Sequence, residues 1–409
     1  MLISIIITIN IILLIYTFFH IVRYSIFIKK RKQRKGSSKQ TTNIVIVIPC
    51  LNEQNTIIDT IDYFKNIIND TIPIVLVTSQ KEKKKPTTND IIKKEIIHKY
   101  KNIFLIDYPH KNGIMADQLN YALKNLDKIQ IKTDNNTYFC VYNADSRPSK
   151  DTFKELNNVI INKNHPEFIQ QYSYALSNYS KLNFILKGFA IYQSNFELKC
   201  GLLNSFFNSK ILHKHLVGHG LFIRLDILKK INGFNNYYWC EDIYMTAIAN
   251  NMNYEIYPLL SLENMETPDK LSKLIKQNSV WFGTTSKNIK MYRTVFNECG
   301  KKTLNGYIGM FNELRSAINW LLFPIIIIIL FSLSTCYSFY TFLISLFIYS
   351  IYVFVYSYTT IKIINRLNHE KIKYSITMFL STFLATLISN IGPLYYLFMN
   401  PKEKYKTER

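Results

Sequence analysis

The apolar positions of this 409-residue chain fall into two kinds of run. Long uncharged runs lie towards the ends, and short ones alternate with polar stretches between them. Leu2–Val22 carries no charged side chain, and about 20 such residues span a bilayer. The run is too long for the apolar part of a secretory signal, and no small-residue cleavage site follows it. It reads as a retained transmembrane anchor over 1–28. A second uncharged block runs from Trp320 to Ile361, broken by small and polar residues at Ser332–Ser338. Its length suits two crossings, over 319–335 and 337–361. A last apolar segment covers 374–399, where Gly392 and Pro393 predict a kink or break. Residues 319–399 are thus expected to hold about three transmembrane helices.

Between these blocks the pattern is that of a globular domain over 42–265. Ile44–Ile48, Ile74–Val77, Ile103–Ile106 and Tyr138–Tyr142 are short, mostly β-branched or aromatic runs, as expected of strands buried on both faces. Helical spacing fills 55–68, 115–126 and 243–250. Alternating strands and helices predict an α/β fold with a mainly parallel sheet. Ligands of such sheets bind beyond the carboxyl ends of the strands. Residues 266–318 are expected to form amphipathic helices at the membrane surface. The first would begin near Thr267-Pro268-Asp269, with Leu271, Leu274, Ile275 and Phe282 as the apolar face that lies at the membrane surface.

Charge adds orientation. The chain has 50 Lys and Arg against 28 Asp and Glu, a net +22. Much of this flanks the apolar runs. Arg23 follows the uncharged run within the anchor, Lys29, Lys30, Arg31, Lys32, Arg34 and Lys35 lie in a basic linker over 29–41, and Lys402, Lys404, Lys406 and Arg409 fill a basic tail over 400–409. Positive charge gathers on the cytoplasmic side. The domain is therefore expected in the cytoplasm, on a multi-pass protein of the plasma membrane, with its basic clusters against anionic lipid. No nucleic-acid module accompanies the charge, so nucleic acid is not an expected partner. Counting crossings puts the tail outside, whereas its charge argues for inside; a re-entrant last segment reconciles the two. A hydrophobic content of 48% excludes a mainly disordered chain. The six cysteines form no C-x-x-C pair and read as reduced packing residues.

The residues just after the predicted strands carry the candidate chemistry. They are Pro49-Cys50-Leu51-Asn52-Glu53, Asn143-Ala144-Asp145-Ser146, Gly218-His219-Gly220, Trp239-Cys240-Glu241-Asp242 and Gln277-Asn278-Ser279-Val280-Trp281. In this order, flanked by membrane helices, they resemble the family-2 glycosyltransferases, the membrane-bound branch with cellulose, hyaluronan and ceramide-glucoside synthases. The resemblance covers roughly 42–285. It implies a GT-A domain, a Rossmann-like nucleotide-sugar transferase fold, with flanking transmembrane helices. It implies transfer from a nucleotide-diphosphate sugar, a UDP-sugar, to a lipid-linked or saccharide acceptor.

The resemblance also assigns roles. Asp145 would ligate Mg²⁺ or Mn²⁺, which neutralises the diphosphate. Asp242, beside Glu241, would be the general base that deprotonates the acceptor hydroxyl. Direct displacement then inverts the anomeric centre. Pro49, Asn52, Glu53, Thr78, Lys111, Asp117, Asn143 and Asp145 would bind the donor. His219, Gly220, Gln277 and Trp281 would line the acceptor site. Four positions depart from the family pattern. Asn143 replaces an Asp, Thr78 stands where an acidic pair is usual, Met115 replaces a Lys, and Val280 replaces an Arg. These departures keep a second reading open, a catalytically inactive membrane scaffold with the same fold.

Overall fold

A computed structural model describes residues 2–31, 42–68, 70–208, 214–399 and 401. The linker's Lys32, Arg34 and Lys35 and the tail's Lys402, Lys404, Lys406 and Arg409 lie outside the described residues. The chain begins with α1 (Leu2–Lys30), then β1 (Ile44–Pro49), α2 (Ile57–Lys65), β2 (Ile74–Ser79), α3 (Thr88–Glu95), β3 (Ile103–Tyr108), α4 (Met115–Asn125) and β4 (Tyr138–Val141). Next come β5 (Arg147–Pro148), α5 (Thr152–Asn162), β6 (Phe168–Gln170), β7 (Ser173–Tyr174), α6 (Phe184–Phe196) and α7 (Asn204–Phe206). The domain closes with β8 (Leu221–Arg224), α8 (Leu225–Lys230), α9 (Glu241–Met252), β9 (Ile256–Pro258) and β10 (Glu263–Asn264). Among the described residues six helices follow: α10 (Leu271–Thr285), α11 (Asn288–Glu298), α12 (Leu304–Tyr337), α13 (Phe339–Leu367), and the pair α14 (Ile376–Leu387) and α15 (Ile391–Met399).

The main sheet has the order β3-β2-β1-β4-β8-β6-β9. Only β8 runs against its neighbours. Alternate residues of β1 explain its burial on both faces. Ile44, Ile46 and Ile48 pack with Ile57, Ile61 and Phe64 of α2. Val45 and Val47 pack with Ala116 and Leu119 of α4. A small sheet, β5-β10-β7, lies apart. The predicted strands are all present. Among the described residues the six cysteines are free thiols; Cys50, Cys140 and Cys240 are buried as expected of packing residues, whereas Cys336 is exposed.

The membrane part departs from the sequence reading in three places. First, the helix expected to begin at 319 begins at Leu304, so the interfacial region ends earlier than 318. Polar Asn305, Asn312, Glu313 and Arg315 hide its first turns from a hydropathy reading. Second, the last segment breaks at 388–390, before Gly392 and Pro393. Pro393 sits in the first turn of α15, where no N–H is needed. The break is held by partners on α12: Trp320 Nε1 donates to the Ser389 carbonyl at 2.9 Å, and Asn390 Nδ2 donates to the Leu321 carbonyl at 2.9 Å. Third, α10 starts at Leu271 with Lys270 as its cap residue, not near Pro268. Its Leu274 and Phe282 are buried in the protein.

Among the described residues four helical stretches are long and apolar enough to cross a membrane: Leu2–Lys30, Leu304–Tyr337, Phe339–Leu367 and Ile376–Met399. The domain is packed onto them by α6, an apolar helix with no counterpart in the sequence reading. A Cβ built on Gly188 of α6 would come within 2.0 Å of the Ser381 carbonyl oxygen of α14. Backbone meets backbone there, so neither side can yield. Gly188→Ala is expected to lower the thermal midpoint of the detergent-purified protein by several degrees, since overpacking costs about 1–3 kcal/mol. An unchanged midpoint would show that the two helices separate freely.

Candidate active site

Six of the seven strands of the main sheet point the same way, so their carboxyl ends share one edge with the amino end of β8. Val141 and Gln170 both pair with Leu221. This register places the 218–220 loop between the ends of β4 and β6. Asn143-Ala144-Asp145 and Gly218-His219-Gly220 therefore meet at that edge.

Asp242 lies in the first turn of α9, beside buried Glu241. The Gly218 amide donates to Asp242 Oδ2 at 2.8 Å, and the Ile243 amide donates to Oδ1 at 2.8 Å. Both oxygens are thus held by backbone, one from each side of the junction. A Cβ on Gly218 would sit 3.1 Å from Glu241 Oε1 and 3.5 Å from Asp242 Oδ2. The missing side chain is what lets the loop reach the carboxylates.

His219 Nδ1 lies 3.0 Å from Glu263 Oε2. Glu263 is only 1% exposed, on the two-residue strand β10, paired with Pro148 and Ser173. Burial works against a charged imidazole here, but the Glu263 carboxylate outweighs it, with smaller help from Glu197 and Asp145. The His219 pKa is pushed up to about 9. His219 is therefore a cation at neutral pH, in electrostatic reach of Asp145. Glu263 was not foreseen from the sequence, where a lone Glu after Leu262 carries no motif.

Asp145 is 7% exposed. The turn it occupies is closed by Ser146, whose hydroxyl accepts from the Asn143 amide at 2.9 Å. Among the described residues no three His, Cys, Asp or Glu side chains gather as a complete metal cage. Mg²⁺ and Mn²⁺ bound with a phosphorylated substrate need only one or two carboxylates, the phosphates supplying the rest. The donor set at Asp145 fits that mode.

The predicted donor residues ring the same edge. Pro49 ends β1 opposite Val77, and Gln118 Nε2 of α4 ties the two strand ends by donating to the Cys50 carbonyl at 3.1 Å and to the Val77 carbonyl at 2.9 Å. Asn52 is exposed with φ 59°, and its amide donates to Glu82. Glu53 is buried at the start of α2, where Oε2 accepts from the Thr56 hydroxyl at 3.0 Å. Thr78 has no carboxylate of its own, but its hydroxyl donates to Asp107 Oδ1 at 2.8 Å. Asp107 is the last residue but one of the neighbouring strand, in register with Thr78. It returns an acidic group to the place where Thr78 lacks one. A carboxylate directly after Ile103–Ile106 was the available signal, and it went unread.

Asp117 is partly committed to structure. Its Oδ2 accepts from the Ile114 amide at 2.8 Å and its Oδ1 from Asn236 Nδ2 at 2.8 Å. Lys111 is exposed on the loop before α4. It is Lys81 that reaches this loop, donating to the Gly113 carbonyl at 3.3 Å. Gly220 has φ +57°, and its carbonyl accepts from the Gln171 amide at 2.7 Å.

Helix α10 brings the remaining pair alongside. The Cys240 thiol faces the Val280 carbonyl at 4.0 Å, so α10 passes directly beside the Glu241–Asp242 turn. Gln277 and Trp281 are both half-buried on this helix. Gln277 Oε1 is a buried acceptor with no hydrogen-bond partner among the described residues. Such atoms are rare, and each marks a place where a partner is absent. Helix α10 is itself seated on α15, where a Cβ on Gly392 would lie 2.4 Å from the Asn278 Cβ.

No family model and no curated protein matches the sequence. Solved structures do. A mannosyltransferase from Pyrobaculum calidifontis, in complex with GDP-Man and Mn²⁺, has a TM-score of 0.50 at 14% identity, covering 96% of this chain and 99% of that one. TarS 1–349 of S. aureus, in complex with UDP-GlcNAc, has a TM-score of 0.46 at 13% identity, covering 87% of this chain and 92% of that one. Together with the mostly parallel sheet, the first likeness shows an α/β fold of the GT-A glycosyltransferase type, flanked by long apolar helices.

Proposed function

We propose that this protein is a membrane-bound inverting glycosyltransferase that moves a sugar from a nucleotide-diphosphate sugar to a lipid-linked or saccharide acceptor. The observation that carries the reading is the meeting of Asp145, the His219–Glu263 pair and Asp242 at one sheet edge. The neighbour solved with GDP-Man and Mn²⁺ supports it through its fold.

The residues divide the work by chemistry. The carboxyl ends of β1 to β4 receive the nucleotide, with Asp107 and Asn89 meeting at the Thr78 hydroxyl. Asp145 would hold Mg²⁺ or Mn²⁺, which neutralises charge on the diphosphate when bound. His219 keeps its proton through Glu263 and adds a fixed positive charge to the same edge. That charge offsets the cations missing at Met115 and Val280. Asp242, aimed by the Gly218 and Ile243 amides, takes the proton of the attacking hydroxyl. Gln277 and Trp281 flank the acceptor, the buried amide oxygen of Gln277 receiving a hydroxyl donor. With the four apolar helices in the bilayer, the basic cluster after α1 orients the domain towards the cytoplasm of a plasma-membrane protein.

The test is a panel of nucleotide sugars supplied to membranes containing the full chain, with Mg²⁺, Mn²⁺ or EDTA, with and without lipid extract. One donor is expected to release nucleotide diphosphate, at least tenfold faster with metal than with EDTA, and faster with extract. If every donor stays intact and none binds, the catalytically inactive scaffold becomes the correct reading.

A further inference from the structure

Residues 368–375 join α13 to α14, and this connection bonds directly to the α/β domain. Asn368, which caps the end of α13, turns its whole carboxamide to one residue. Its Oδ1 accepts from the Leu262 amide at 2.9 Å, and its Nδ2 donates to the Leu262 carbonyl at 3.0 Å. Leu262 directly precedes Glu263, the partner of His219. We propose that Asn368 is a positioning residue for the transfer reaction, fixing β10 so that the Glu263 carboxylate stays on His219. The inference rests on the transferase reading above and adds to its site a residue from between two apolar helices.

β10 has little of its own to hold it. It is two residues long, Glu263 and Asn264. Its antiparallel neighbour β5 sets Pro148 opposite Glu263, and proline has no N–H to give. The Glu263 amide donates to the Tyr172 carbonyl at 3.1 Å, and the Leu262 carbonyl also accepts from the Ser149 amide at 3.2 Å. The Leu262 amide is met by Asn368. A side chain with donor and acceptor side by side thus completes the ladder, as a neighbouring strand would. Leu262 and Glu263 are both buried. Without the carboxamide the Leu262 N–H would lose its partner in a place closed to water, which is costly.

Asn368 is itself fixed. Its own amide donates to the Ile364 carbonyl at 3.0 Å, and Ile361 and Ile364 of α13 pack in one cluster with Leu262 and Tyr174. Three residues earlier, Asn365 makes the same paired contact with Ile372. Its Oδ1 accepts from the Ile372 amide at 3.0 Å, and its Nδ2 donates to the Ile372 carbonyl at 2.8 Å. The connection is therefore closed at its base. It also reaches the next strand. The Tyr174 hydroxyl of β7 donates to Glu370 Oε1 at 3.1 Å and lies 3.4 Å from Asn368 Nδ2. Tyr174 is in register with Asn264 of β10. Placement of the cation is what the reaction needs. Charge on the leaving diphosphate grows as its bond to the sugar breaks, so a fixed cation stabilises the transition state more than the bound donor.

The experiment compares the wild type, Asn368→Ala, Glu263→Gln and the double variant, as full chains in phosphatidylcholine nanodiscs. Donor turnover gives kcat and KM. Diethyl pyrocarbonate, which acylates the neutral imidazole, reads His219 by peptide mass spectrometry without turnover. Asn368→Ala is expected to lower kcat about tenfold with the donor KM within about twofold. It should also raise the rate of His219 acylation several-fold while the other histidines keep theirs. In the Glu263→Gln background, Asn368→Ala should move neither readout further. Additive losses, unchanged His219 acylation, or a rise spread over all eight histidines would overturn the proposal and leave Asn368 a support of the fold alone. If Asn368→Ala does not assemble, Asn368→Asp decides. It keeps an acceptor for the Leu262 amide, loses the donor, and should show the same pattern at smaller size. Donor turnover by the wild type, matched by Asn368→Ala, sinks this inference alone. No turnover by the wild type, with His219 acylation still rising selectively, sinks only the transferase reading.

Discussion

Asp242→Asn should abolish sugar transfer while leaving the donor bound. The change preserves size and removes only the ability to take a proton. General-base catalysis is worth about 10²–10⁴ in rate, so a loss of that order is expected. The surroundings add a second cost. Both Asp242 oxygens accept backbone N–H bonds, from Gly218 and from Ile243. An amide has one oxygen, so one of these donors must face an NH₂ group. That mismatch is worth about 1–3 kcal/mol and loosens the 218–220 loop. Initial rates of nucleotide diphosphate release, read beside direct donor binding, separate the two effects. A variant within tenfold of the wild-type rate would remove Asp242 from the role of base.

The second large effect is expected at Glu263, which belongs to none of the sequence motifs but pairs with His219 of one of them. Glu263→Gln leaves His219 buried without its counter-charge. Removing one partner of a buried ion pair costs about 3–5 kcal/mol. The pH dependence gives this a distinctive signature. In the folded protein His219 titrates at about 9, against 6.5 for a free imidazole. The fold thus holds the proton more tightly than the unfolded chain does. Its contribution is complete below about pH 6.5 and vanishes as pH rises through 9. The interval corresponds to about 3 kcal/mol. Thermal midpoints in detergent should fall between pH 7 and 9.5 for the wild type. Glu263→Gln should start lower and show little further fall over that range. Parallel curves for the two proteins would show that the pair contributes nothing.

What could be read from the sequence follows from how many residues share a signal. β1 to β4 were legible because each is a short run of apolar residues, buried on both faces in β1, β2 and β4 and partly buried in the edge strand β3. Asp145 and Asp242 were legible because they follow a strand and open a helix, where the family resemblance supplied their roles. Glu263 was not, because a two-residue strand has no periodicity and its partner His219 lies 44 residues away. Asp107 was hidden because its work is done across the sheet, for Thr78 on the adjacent strand. The start of α12 was missed because its first turns are polar and pack against α9 and α11 rather than lipid. Position 388 was missed because the break is stabilised by hydrogen bonds between α12 and the 389–390 turn, between residues 69 apart in the chain.

The seating of α10 on α15 has a further consequence. Hydropathy divides this chain into a water-soluble part and a lipid-facing part, and that division suggests two modules. The packing at Asn278 and Gly392 runs across it, as does that at Gly188 and Ser381. One wall of the catalytic cleft is thus pinned by the last apolar helix in the chain. Topological compartment and cooperative folding unit do not coincide here. A defect in a lipid-facing helix is then felt at the anomeric centre, without any residue of the cleft having changed.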